Sequence, residues 1–243
     1  MKNYLKIKWR KLIFILFNKD LLTGLKLTKP TDRLSLGNDL ANWTIPSKLI
    51  NSDSTCYLVG AGEDISFDLA LAKKFNCKVV IIDPTPKAIE HFNELDRFGK
   101  ISKDIRSNII YVPYGLWKDD TKLKFFAPRN ENHVSHSVVN LQNTKDFFEA
   151  TVKKLTTLMR ENFDEHLDLL KIDVEGAEYE IINSMIAEEK FPKILCIEYD
   201  EIFSPMDENA TIRIKKSIQS LISVGYSIYN LDFPSNYTFV YKR

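Results

Sequence analysis

Three acids crowd the segment Leu169-Leu170-Lys171-Ile172-Asp173-Val174-Glu175-Gly176-Ala177-Glu178-Tyr179-Glu180-Ile181-Ile182, where a short apolar strand runs into a turn and then a helix. Asp173 ends the strand and Gly176 lets the backbone turn without a Cβ clash. Glu175 and Glu178 fall in the helix's first turn, where the macrodipole favours negative charge. In isolation such acids would only cap a helix. Beside a bound ligand they can take a proton from a reacting group, and His136, in the polar stretch His133-Val134-Ser135-His136-Ser137, can do the same. Asp173, Glu175 and His136 are therefore the candidate catalytic residues. A solvated or hydrogen-bonded loop histidine is the plain alternative for His136.

The ligand is indicated by a second constellation. An apolar strand ends in Gly60-Ala61-Gly62-Glu63-Asp64, and helical spacing begins directly afterwards. Glycines admit a ligand close to the backbone, and a helix N-terminus offers unpaired N–H groups. The next strand ends in Asp83, at a distance along the chain that suits an acid accepting hydrogen bonds from ribose hydroxyls. Together they point to an adenosine cofactor. A dinucleotide fingerprint would continue to a third Gly or Ala, yet that position is Ile65, and Glu63 and Asp64 would repel phosphates. S-adenosylmethionine has an adenosine, no phosphates and a cationic sulfonium that such acids favour.

These residues need elements to hold them. Apolar runs predict strands at 55–59, 78–82, 108–112, 167–172 and 194–198, and helical periodicity appears at 65–75, 86–98, 155–162, 175–188 and 211–224. Leu123 to Phe126 is expected as a short excursion, and 226–230 with 237–241 as a terminal strand pair. Strand and helix alternate, so a doubly wound α/β fold, a parallel sheet covered on both faces, is the economical architecture.

Composition excludes some functions. Among 243 residues the formal charge is +1, and no basic stripe with interleaved aromatics speaks for nucleic acid. Cys56, Cys77 and Cys196 have no metal-ligand spacing and suit reduced, buried thiols in a cytoplasmic protein. Near the N-terminus, Leu5, Trp9, Leu12, Ile13 and Leu16 recur at helical spacing among Lys2, Lys6, Lys8, Arg10 and Lys11. The apolar run is too short to span a bilayer and lacks a cleavage site. Docking on the chain's own domain or a second subunit is the first expectation for this basic amphipathic helix; peripheral contact with the inner membrane face is the second.

Val59-Gly60-Ala61-Gly62-Glu63-Asp64-Ile65-Ser66-Phe67-Asp68, Ile82-Asp83-Pro84-Thr85-Pro86 and Leu170 to Glu178 together resemble the FkbM family of S-adenosylmethionine-dependent methyltransferases. The likeness runs from about residue 55 to about 200 and implies a class I methyltransferase Rossmann-like sheet of seven strands, the last antiparallel. It divides the chain into a lead-in at 1–50 and a cofactor-binding domain at 51–243. Carried over residue by residue, it implies that Gly60 and Gly62 face the methionine part of the cofactor, and Asp64 beside them is a further candidate for cofactor binding. Asp83 would hold the ribose; Tyr114, Gly115 and Leu116 would flank the adenine; Asp173 would stand at the reactive end. The implied reaction is O-methylation of a small polar acceptor, a sugar or surface-glycan precursor, leaving S-adenosylhomocysteine.

A competing route has Mg²⁺ on Asp173, Glu198 and Asp200 acidify the acceptor hydroxyl, although a metal is not the favoured expectation. Two other function classes stay open: a nicotinamide-dependent oxidoreductase, and a non-catalytic interaction protein on a degenerate fold.

Overall fold

The computed structural model describes residues 32–39, 41–129, 136–140, 142–232 and 234–242. The amphipathic helix expected near the N-terminus and His133 lie outside these residues. A hairpin of β1 (Arg33–Leu36) and β2 (Trp43–Pro46) comes first, followed by β3 (Thr55–Val59), α1 (Ser66–Phe75), β4 (Lys78–Ile82), α2 (Pro86–Arg97), the single turn α3 (Lys103–Arg106) and β5 (Ile109–Val112). The chain then makes β6 (Gly115–Leu116), β7 (Thr121–Phe126) and β8 (Phe147–Lys153) before α4 (Leu155–Glu161), β9 (Leu169–Ile172), α5 (Glu178–Ala187) and β10 (Ile194–Glu198). It closes with α6 (Ala210–Ser223), β11 (Tyr226–Asp232) and β12 (Asn236–Tyr241).

Seven strands form the main sheet in the order β11-β12-β10-β9-β3-β4-β5. β10, β9, β3, β4 and β5 pair in parallel, whereas β12 runs antiparallel to both β10 and β11. This is the class I methyltransferase arrangement expected above, with the antiparallel last strand inserted beside β10. The central strands are buried on both faces, which is why their sequences are nearly unbroken apolar runs. Alternate residues feed two cores. Tyr57, Val80, Leu170 and Leu195 pack on one side with Leu158, Ile181 and Ile218, and Cys56, Val79, Leu169 and Ile194 on the other with Phe67, Leu71 and Phe92. Strand order reverses between β3 and β9, the position at which open α/β sheets bind ligands beyond their carboxyl ends.

Two features depart from the expected elements. The excursion at Leu123 to Phe126 is one strand of a separate three-stranded sheet, β6-β8-β7, whose central strand was not anticipated. Its residues, Phe147-Phe148-Glu149-Ala150-Thr151-Val152-Lys153, alternate poorly because only Val152 is fully buried. The helix expected from Glu175 begins at Glu178. Ahead of residue 51, Trp43 and Ile45 of the lead-in belong to the second core, and the Thr238 hydroxyl donates to the Thr44 carbonyl at 2.9 Å.

Candidate active site

A cleft of about 240 Å³ opens at the carboxyl ends of β3, β4, β9 and β10. Ala41 and Trp43 of the hairpin, Gly115, Leu116 and Phe125 of the small sheet, and His136 and Val138 contribute to its lining. Of the residues expected to build a site, Gly60, Gly62, Asp64, Asp83, Gly115, Leu116, His136, Asp173 and Glu175 all line it. Tyr114 does not. Its ring packs against the core, with the Lys153 ammonium 4.0 Å from the ring centroid, and Gly115 and Leu116 take the wall instead.

The glycine corner is fixed by its neighbours. Gly60 has φ +84°, and a Cβ there would stand 1.7 Å from the Asp173 carbonyl oxygen, so the approach of β9 demands glycine. Asp83 Oδ2 accepts the N–H groups of Ala61 at 2.9 Å and Gly62 at 3.0 Å. Its Oδ1 accepts the Thr85 N–H at 2.8 Å and the Thr85 hydroxyl at 2.7 Å. The acid expected to hold a ribose therefore grips the glycine corner itself, with all four of its lone-pair directions in use. Asp64 accepts the Ser66 N–H at 3.0 Å and the Asn38 amide. Burial would raise its pKa, but these hydrogen bonds hold it below the ordinary carboxylate value.

Across the cleft stands the acidic turn. Asp173 Oδ2 pairs with the Lys171 ammonium at 2.9 Å. Glu175 precedes the helix in a left-handed conformation, φ +54°, and its N–H donates to Asp200 Oδ2 at 3.1 Å. The Ser137 hydroxyl donates to the Glu175 carbonyl at 2.6 Å, tying the His136 segment to the turn, while the His136 ring meets Phe148 edge-on at 5.1 Å. Glu178 is fully buried and outside the cleft. Its Oε1 accepts the Gly176 N–H at 2.8 Å, and its Oε2 has no hydrogen-bond partner among the described residues.

Glu198, considered from the sequence only as a metal ligand, also lines the cleft. Its strand is in register with β9, Ile197 opposite Ile172, so Glu198 and Asp173 leave adjacent strand ends together. Carboxylate oxygens of Asp173, Glu198 and Asp200 all lie within 4.8 Å of one another. The Ser235 hydroxyl donates to Glu198 Oε1 at 3.1 Å; burial, with the Asp173 charge adding, raises the Glu198 pKa to about 7. Burial raises Asp200 as well, and Asp68 to about 6.

The charge inventory decides what can bind. Glu63, Asp64, Asp68, Asp83, Asp173, Glu175 and Glu198 line the cleft against one basic residue of fixed charge, Lys171, among the described residues. Pyrophosphate would meet repulsion there, whereas a sulfonium and an ammonium would be attracted. The glycine corner and acid rim thus fit S-adenosylmethionine and do not fit a nicotinamide dinucleotide.

A family model for the methyltransferase FkbM domain matches residues 49–222. No curated protein matches the sequence. Among solved structures, an FkbM methyltransferase from Methylobacillus flagellatus KT is similar at 16% identity and TM-score 0.46, over 81% of this chain and 46% of that one. This chain therefore spans under half the length of that protein. A fibrillarin/NOP5P complex is similar at 13% identity and TM-score 0.44, over 79% of this chain and 73% of that one. An S-adenosylhomocysteine-bound methyltransferase from Podospora anserina, PaMTH1, is similar at 9% identity and TM-score 0.46, over 78% and 72%.

Proposed function

The chain belongs to the FkbM family of S-adenosylmethionine-dependent methyltransferases, and from that premise we propose that it methylates a hydroxyl oxygen of a small, neutral, sugar-like acceptor. The observation that carries the acceptor class is the acid rim, with seven carboxylates and one lysine among the described residues around the cleft. An anionic acceptor would be repelled there, whereas sugar hydroxyls can donate hydrogen bonds to carboxylates. Phe125, which lines the cleft, stacks on Phe148 at 5.3 Å between ring centroids, and an aromatic side chain in that wall suits the C–H face of a sugar ring.

When bound, S-adenosylmethionine supplies the methyl group. The chain's own task is to align the acceptor oxygen and to remove its proton as the new bond forms. A hydroxyl is a poor nucleophile at neutral pH. Glu198, with a pKa near 7, and Asp173 beside it form the carboxylate pair in this reading that accepts the proton. Ser235 orients Glu198, Lys171 orients Asp173, and Glu175 and His136 close the acceptor side. The three buried free thiols suit a reducing, cytoplasmic setting. No described helix is long and apolar enough to cross a membrane. The Asp173, Glu198 and Asp200 oxygens also suit a hard cation such as Mg²⁺. Lys171 already supplies positive charge at Asp173, which favours the metal-free route.

The test is transfer of radiolabelled methyl from S-adenosylmethionine to a panel of mono- and disaccharides, nucleotide sugars and amines, with and without excess EDTA. The expected product is a methyl ether on a saccharide, formed at an unchanged rate in EDTA. Methylation of an amine would overturn the acceptor class, and loss of turnover in EDTA would install the metal.

A further inference from the structure

Lys171 is out of place for its position in the sheet. Its register partners on β10 and β3 are Cys196 and Leu58, and Leu169 precedes it on the same face. An ammonium buried in such an apolar row is costly unless it is well paired. The pairing is specific: only 9% of the side chain is exposed, and Nζ donates to the Gly60 carbonyl at 2.9 Å and meets Asp173 Oδ2 at 2.9 Å. It therefore bridges the ends of β3 and β9, the two strands between which the sheet order reverses. The carboxylates of Asp173, Asp68 and Glu198 all act on it as counter-charges, Asp173 in direct contact.

We propose that Lys171 is a positioning residue that ties the glycine corner to Asp173 and, by its fixed charge, sets the cleft's balance between the cationic methyl donor and its neutral product. The proposal rests on the reading that the cleft takes S-adenosylmethionine. Methyl transfer discharges the sulfonium: the carbon–sulfur bond breaks, its electron pair stays on sulfur as a thioether, and the acceptor oxygen gains the carbon and gives up its proton. An acidic cleft without a counter-charge would stabilise the charged ground state more than the transition state and slow the reaction. A lysine paired with Asp173 moderates that field while holding both walls.

The two ligands share their adenosine and amino-acid parts and differ by one positive charge at sulfur. The ratio of their Kd values therefore cancels contacts that a merely structural lysine would support. The experiment is calorimetric titration of wild type, Lys171→Met and Asp173→Asn with S-adenosylmethionine and with S-adenosylhomocysteine, with melting curves to establish folding. Lys171→Met is expected to shift the ratio toward the charged donor by about tenfold, and Asp173→Asn, which removes the lysine's nearest counter-charge, to shift it the other way by a similar factor. If Lys171→Met does not fold, the shift in Asp173→Asn decides. Ratios within about twofold of wild type in the folded variants overturn the role of Lys171 alone. A folded wild type that binds neither ligand overturns this proposal together with the reading beneath it.

Discussion

Glu178 and Asp83 illustrate how residue type can be legible while residue role is not. Both acids stand where the sequence placed them, yet Glu178 is buried behind the turn and Asp83 spends its lone pairs on Ala61, Gly62 and Thr85. Spacing along a chain shows that a carboxylate reaches a strand end; it does not show which donors arrive first. Glu178 has a consequence in solution. Burial raises its pKa from 4.5 to about 8, with the Asp173 and Glu175 charges adding. Between those values the folded chain keeps a proton that the unfolded chain gives up, so this group's contribution is full below about pH 4.5 and is lost as pH rises through about 8. Glu178→Gln keeps the acceptor for Gly176 and cannot ionise. Its melting temperature is expected to fall less between pH 5 and 8 than that of wild type; parallel curves would show that Glu178 is already ionised in the fold.

At the scale of elements, strands buried on both faces and amphipathic helices announced themselves, because their periods are imposed by the sheet they pack against. The small sheet and the lead-in hairpin did not. β8 is partly exposed on both faces, and the hairpin's strands are only four residues each, too short for a pattern to rise above its turn. Yet the hairpin is part of the site. Trp43 is 3% exposed, packs into the second core and lines the cleft beside Ala41. Trp43→Ala is expected to cost about 3–5 kcal/mol of stability and to weaken cofactor affinity. Chemical denaturation with a parallel cofactor titration measures both. A variant of wild-type stability and affinity would mean that the hairpin is an ornament on the domain.

For the molecule as a whole, the strand order β11-β12-β10-β9-β3-β4-β5 brings segments more than 100 residues apart to one rim. That order was legible only through the resemblance carried by the glycine corner and the acidic turn, since periodicity shows that strands exist but not which are neighbours. Neighbourhood is what gives the site its character. It sets Glu198 beside Asp173, places Lys171 under Gly60, and gathers the carboxylates that distinguish this cleft from a phosphate-binding one. The most direct measurement is therefore calorimetry on the folded chain with S-adenosylmethionine, S-adenosylhomocysteine and NAD in turn. Saturable heat with the first two at a stoichiometry of about one, and none with the dinucleotide, is the predicted result. Binding of NAD, or no heat with either sulfur ligand, would contradict it.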